Sequence, residues 1–578
     1  MKKKNAIIAV LCIAIFISCL IFGDVRWQTN DDALLNLIAA GAYGEPSQYM
    51  IYTNILLGYV FKALYHLIAG INWYLWIYLS FNLAAILSIC LIFSRKFKTV
   101  PAIFITLLVN FLLYKEYYLC LQYTKNATLY IVTGGVHTLF LLCRLNEDEL
   151  QTGKKWLFWG ELFVCCLFTS LGMCARKESF VVAIPFSATM LALYFLFGRS
   201  KNKPKWMYLL AIILPIVSAL SCLAVHTYKM SSNPDWDYFT KWNKIMTDKR
   251  DFGNYNLEWN YDEYIANGYT EVDFNLMMHE WMWNDTDYFT LDYLEKMKEI
   301  GKDNRQNELR VSFEVFVNEL KRIGLKAEES VLPWAYLLIF IFGIFIYKNN
   351  IVYLLAQLIW LLGEYYYLII SRRLEWHVES GIWYCSILMS LAIILIPKMH
   401  AEKVTSVCEK VPVVSMGIQI VASICLIVSM INQLNYDFGA VKHYKIVQEP
   451  DGTYETAQGL HELSDYFFVT SIDDMYGGLC GAKNIFDVDS SYADYFANSV
   501  SIGGWMIPSP IGNYHANQRG ISNPVKALFE RDDVYYYGGG LHMGYIFAFI
   551  DEKYGPGASV EQVTFPNGMT AWKYHMNK

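Results

Sequence analysis

The strongest constraint on this chain is a series of apolar runs. Eleven stretches read as membrane spans: 1–23, 73–93, 99–114, 126–143, 156–174, 180–197, 206–226, 333–347, 351–370, 380–397 and 412–431. A helix needs about 20 mostly apolar residues to cross a bilayer. Inside lipid the backbone must satisfy its own hydrogen bonds, so runs this long and continuous read as helices. The expected fold is an α-helical polytopic membrane protein of about eleven transmembrane helices. The mean hydropathy of +0.26 is mild for such a protein, so sizeable polar segments must sit beside the spans. The opening "MKKKNAIIAVLCIAIFISCLIFG" has the basic start and apolar core of a signal peptide but no small-x-small cleavage site. It reads as an uncleaved first helix with its N-terminus in the cytoplasm.

The stretch 49–70 is long enough to span but carries Lys62 and His66 four residues apart, on one helical face. Loop charge decides its placement. If it does not cross, the loops "SRKFK", "RLNEDELQTGKK", "GRSKNKPK", "YKNN" and "PKMHAEKVTSVCEK" are cytoplasmic and hold fourteen Lys and Arg, against seven in the opposite short loops. A crossing would reverse the bias, so 49–70 is expected as a juxtamembrane helix. The chain then divides into a transmembrane region 1–226 with a first outer loop at 24–70, an extracytoplasmic insertion 227–332, transmembrane helices in 333–431, and an extracytoplasmic tail 432–578 with the C-terminus outside. The insertion reads as mostly helical, with an amphipathic pattern from "LDYLEKMKEIG" onward. The tail reads as α/β: "YFFVTSI", "DVYYYGG" and "VEQVTF" as strands, "HMGYIFAFIDEKYG" as a helix. The plasma membrane is the expected location.

Several function classes are disfavoured. A net charge of −6 without a basic block argues against nucleic acid as a partner. Of the thirteen cysteines, Cys12, Cys19, Cys90, Cys165, Cys166, Cys222 and Cys425 lie in apolar runs and read as small hydrophobes. The two polar segments contain only Cys480, so no disulfide is expected within either. No HExxH or CxxC motif occurs. "DVYYYGGGLHMGY" can place glycines before a helix N-terminus, but it fits neither a P-loop nor a dinucleotide fingerprint and reads as a plain turn.

Polar side chains near lipid are costly and demand an explanation. Under this topology Arg26, Asp31, Asp32, Lys62, His66, Glu116, Lys125, Arg176, Lys177, Glu178, Arg372, Arg373, Glu375 and His377 all fall at outer ends of spans. Together they suggest a charged cavity open to the outside. Each has a plainer reading. Thr29 or Asn30 can cap a helix whose first turn holds Asp31 and Asp32, where acids favour the macrodipole. Arg176, Lys177 and Glu178 can be an interfacial loop with snorkelling side chains. His137 and His226 read as satisfied helix histidines, and the aromatic wealth of 227–332 reads mainly as core packing.

A first helix, an outer loop opening "NDDALL", a proline-containing stretch "GEPSQYMIYTNILLGYVFKALYHLIAG" and a second span "INWYLWIYL" ending at "SRKFK" resemble the GT-C membrane glycosyltransferases. That group includes the protein mannosyltransferases and the aminoarabinose transferase of lipid A. "LQYTKNATLYIVTGG", "MCARKESF" and "SRRLEWHVESGIW" are also similar to bacterial multi-span proteins of surface-polysaccharide loci.

The resemblance implies transfer of a sugar from a polyprenyl-phosphate donor to an extracytoplasmic glycan or lipid acceptor. It assigns the catalytic acid of the first outer loop to Asp31 or Asp32, acting as base or through a divalent metal. A hydroxyl is a poor nucleophile, so a carboxylate must take its proton. The leaving lipid phosphate needs fixed cations, for which Arg176, Lys177, Arg372, Arg373, Lys62 and His66 are the expected residues. Glu116, Glu178, Glu375 and His377 are further acid, metal or acceptor candidates, because no second acidic pair stands in a later outer loop. The alternatives are a polysaccharide polymerase or ligase, which relies on outer arginines, and a non-catalytic transporter or flippase. Inverted repeats and midplane charges, expected of a transporter, are not seen.

Overall fold

The computed structural model describes residues 2–23, 25–146, 155–198, 204–251, 257–278, 281–301, 313–321, 331–346, 351–371, 373–396, 412–413, 416–425, 427, 453–471, 485–486 and 496–576. Among them, nine helices are long and apolar enough to cross a membrane. They are α1 (Lys2–Phe22), α4 (Trp73–Phe93), α5 (Thr99–Tyr114, continued by a π-turn to Leu119), α6 (Tyr123–Asn146), α7 (Lys155–Ala175), α8 (Lys177–Leu193, continued to Gly198), α9 (Lys205–Ser231), Ile351–Ile370 and Trp376–Leu395. The other two expected spans contain shorter apolar helices, Leu332–Ile346 and Met416–Cys425. Two helices form the centre of the bundle: 89% of the α6 span and 94% of the Trp376–Leu395 span are buried. They pack on each other, and α6 also contacts α4, α7 and α8.

Between α1 and α4 lie two short helices, α2 (Asn30–Ala40) and α3 (Ile55–Leu67). At 1.5 Å per residue, α3 is about 20 Å long, short of a bilayer core. Its Leu57, Phe61 and Tyr65 face inward, and the Tyr65 hydroxyl donates to Asn36 of α2 at 2.7 Å. Asn54 caps α3 by accepting from the Leu56 N–H at 3.0 Å. α2 ends at Gly41, whose φ of +103° allows its N–H to reach back to Leu37 and Ile38.

The two polar segments, expected as separate domains, share one core. α10 (Pro234–Arg250) and helices within 261–300 pack on a five-stranded sheet of order β4-β3-β5-β7-β6. Its strands are β3 (Phe467–Thr470), β4 (Ser499–Ser501), β5 (Val534–Tyr537), β6 (Ala558–Thr564) and β7 (Thr570–Met576). β3 pairs in parallel with β4 and β5, while β7 runs antiparallel to β5 and β6. The strand and helix readings at 466–472, 533–539, 560–565 and 542–555 all overlap observed elements, whereas β4 and β7 had no sequence reading. Trp242, Trp283 and Phe289 of the insertion lie in one cluster with Val469, Val500, Val534 and Phe549 of the tail. Polar seams join the two as well. Asp273 pairs with Lys553 at 3.0 Å, and Asp285 accepts from Asn523 at 2.7 Å and from the Tyr554 hydroxyl at 2.5 Å. Burying a carboxylate is tolerable only when it is bonded in this way.

Candidate active site

The site starts from a short parallel pairing. β1 (Arg26–Trp27) lies beside β2 (Cys120–Leu121), and Gln28 N–H donates to the Leu121 carbonyl at 2.9 Å. This fixes the start of α2 over the start of α6. Thr29 occupies the N-cap position but its side chain does not cap the helix. Its hydroxyl instead donates to Asp32 Oδ2 at 3.3 Å. Asp32 is 1% exposed and also accepts from the Tyr123 N–H at 3.0 Å and the Tyr74 hydroxyl at 3.1 Å. Burial and the adjacent Asp31 push its carboxyl up to about 8.

One residue earlier on the helix, about 100° around its axis, Asp31 has different surroundings. It faces Arg176, Arg250 and Trp505, the last as a hydrogen-bond partner, while keeping some solvent-accessible surface. Crowding by these elements raises its pKa, and the two guanidiniums oppose that rise. A carboxylate that is both crowded and reachable stands in a cleft.

The cleft is assembled from distant parts of the chain. Arg176, between α7 and α8, bonds the Tyr123 hydroxyl and Thr124 Oγ1, the latter at 3.0 Å. Its guanidinium lies 4.8 Å from the Tyr123 ring centre and 5.5 Å from that of Tyr52. Arg250, the last residue of α10, donates to Asp251 at 2.8 and 3.3 Å and lies 5.5 Å from the Trp281 ring centre. Its side chain is 3% exposed and also meets the Tyr52 hydroxyl, while Nη1, itself buried, makes no hydrogen bond among the described residues. Arg373 closes the chain of charges by reaching Asp251 at 3.2 Å. The Tyr52 and Trp505 rings lie tilted against each other with centres 4.8 Å apart. The residues at positive φ that are not glycine, Ile51 (+59°) and Trp281 (+50°), both border this cleft among the described residues. Such strain often marks functional sites.

Other charged candidates are placed differently. Lys125 is fully buried and pairs with Glu116 at 2.5 Å, with further bonds to the Cys120 carbonyl at 2.6 Å and from Trp376 Nε1 to Glu116 at 3.2 Å. That pair is closed. His377, in the first turn of Trp376–Leu395, lies among Arg176, Arg373 and Lys125. Lys177 and Glu178 are half exposed and 3.8 Å apart, Glu178 also lies 3.6 Å from Arg176, and Glu375 is exposed at the N-cap of Trp376–Leu395. Lys62 and His66 make no hydrogen bond or ion pair among the described residues, so the structure gives them no tie to the cleft. Arg26 lies in β1, and Arg372 lies outside the described residues. The glycines at 538–540 form a turn between β5 and the helix Gly540–Lys553.

A divalent metal needs several free oxygen or nitrogen ligands. Among the described residues no group of three His, Cys, Asp or Glu side chains can hold one. Asp32 is occupied by three donors, Glu116 by Lys125, and Asp31 faces two cations. This donor set does not fit a metal. Sequence reasoning missed Tyr52, Tyr123, Arg250, Asp251, Trp281 and Trp505. No family model, curated protein or solved structure matches the chain.

Proposed function

We propose that this protein is an integral-membrane glycosyltransferase. It moves a sugar from a polyprenyl-phosphate donor to a glycan or lipid acceptor on the extracytoplasmic side. The observation that carries the reading is a partly exposed Asp31 carboxyl within electrostatic reach of Arg176 and Arg250. Asp31 takes the proton of the acceptor hydroxyl as that oxygen attacks the anomeric carbon. The bond from the anomeric carbon to the phosphate oxygen breaks, and the charge on the leaving phosphate is met by the Arg176 guanidinium, with the buried Arg250 guanidinium adding its field. Tyr52, Trp281 and Trp505 offer ring faces for sugar stacking. Asp32 is a positioning residue: its bonds to Tyr74 and Tyr123 hold the first turn of α2. No metal is assigned a step.

The test is incubation of purified protein with a panel of polyprenyl-phosphate sugars, reading release of polyprenyl phosphate. Turnover that Asp31→Asn abolishes supports the reading. Turnover that survives Asp31→Asn but is lost in Arg176→Ala favours the arginine-dependent polymerase or ligase. No turnover by folded wild type with any donor and acceptor tried contradicts the transferase reading and favours transport.

A further inference from the structure

Two cysteines, one of which the sequence presents as apolar filler, meet at the end of the bundle that carries the cleft. Cys174 stands in the last turn of α7 and Cys222 in α9, with their thiols facing each other. The backbone geometry supports that placement. One turn earlier on the same two helices, Ser170 and Ser218 have their hydroxyl oxygens 3.0 Å apart. Both pairs are separated by 48 residues, as a four-residue step along two parallel helices requires. A spacing that brings two serine side chains into contact therefore recurs at Cys174 and Cys222. Asn54 ties the same level together: its N–H donates to the Cys174 carbonyl at 2.8 Å and its Nδ2 to the Cys222 carbonyl at 3.0 Å. A disulfide needs short, matched Cβ positions, and the serine contact one turn earlier is the observation that points to them here.

A second close pair serves as a contrast. Asn110 Nδ2 lies 3.4 Å from Cys12 Sγ and 3.7 Å from Cys90 Sγ, and both cysteines are wholly buried within the bundle. Cys174 is buried as well, but Cys222 keeps accessible surface. Under the orientation expected from the loop charges, the Cys174 end faces outward, where disulfides persist.

We propose that Cys174 and Cys222 are an oxidisable dithiol that closes into a disulfide stapling α7 to α9. The two thiols give up two protons and two electrons to an external oxidant of the quinone or disulfide class, and one S–S bond forms. Arg176 lies two residues beyond Cys174, and α9 runs through a two-residue turn into α10, which ends at Arg250. The staple therefore ties together the supports of the two cleft arginines. The proposal does not depend on the transferase reading.

The experiment uses full-length protein in detergent, treated with diamide, which takes up the two electrons and two protons. Remaining thiols are alkylated with N-ethylmaleimide after denaturation, and non-reduced digests are read by mass spectrometry. The expected result is a linked pair of peptides containing Cys174 and Cys222, separated by dithiothreitol, with Cys12 and Cys90 recovered as alkylated thiols. Wild type alone gives this answer, and Cys222→Ser is expected to remove the linked species. Recovery of both Cys174 and Cys222 as alkylated thiols, or linkage of either to another cysteine, overturns the proposal.

Discussion

Two sets of charges at one end of the bundle have similar composition and opposite character. Glu116 and Lys125 are buried, in direct contact, and surrounded by further hydrogen bonds. Asp31, Arg176 and Arg250 are brought near one another from three parts of the chain, yet Asp31 keeps accessible surface and makes no closed ion pair among the described residues. A closed pair has little left to offer a ligand, and removing one partner leaves an uncompensated charge. An open set is stabilised by whatever binds it. Charged residues near lipid thus divide into those that hold the fold and those available for chemistry, and only the geometry separates them.

The comparison can be broken first at Asp31. Asp31→Asn is expected to lower transferase turnover by roughly 10² to 10⁴, the usual contribution of a general base, with the melting temperature unchanged. Lys125→Met should do the reverse. It should destabilise the fold by about 3–5 kcal/mol, the cost of orphaning a buried partner, read by denaturant or thermal unfolding in detergent. Adding Glu116→Gln should recover much of that loss. If Lys125→Met leaves stability unchanged, the pair is not closed as described.

A smaller effect is expected at Arg250. Arg250→Gln removes one cation beside the proposed phosphate position, an expected loss of about 1.5–3 kcal/mol, seen as a higher KM for donor and lower turnover. It also removes one of the two cations that hold the Asp31 carboxyl down. The base works only when ionised, so the acidic limb of the pH–rate profile should move to higher pH. An unmoved limb would separate Arg250 from Asp31.

A pH dependence of stability separates Asp31 from Asp32. The folded pKa of Asp32, about 8, lies above its ordinary 3.8. The folded protein therefore holds a proton that the unfolded chain has lost between those values, and stability should fall as pH rises through that window. Asp32→Asn should flatten this slope in melting temperature against pH. An equally steep slope in the variant would mean that Asp32 folds ionised.

The helical bundle was legible in the sequence because hydropathy is a local signal, and α4, α7 and Ile351–Ile370 lie within a residue or so of their expected limits. Asp31, Asp32, Arg176 and Arg373 were legible as charges at the ends of apolar runs. Their roles were not. The pairing of Lys125 with Glu116 depends on the π-turn and β2 that bring residue 116 back beside α6. Arg250 ends a helix of ordinary polar composition, and only the packing of the insertion on the tail sheet brings it to α2. Trp505 reaches the cleft from a loop after β4, which carries no strand signal of its own. Long-range packing set these residues, and no window of sequence contains it.

The central claim is that the Asp31 cleft is the catalytic centre, and the most direct measurement is donor-dependent release of polyprenyl phosphate. Wild type, Asp31→Asn and Asp32→Asn would be compared at matched folded fraction. Wild type should release polyprenyl phosphate, Asp31→Asn should not, and Asp32→Asn should show a partial reduction through the geometry of the helix start. Wild-type rates in Asp31→Asn would contradict that claim.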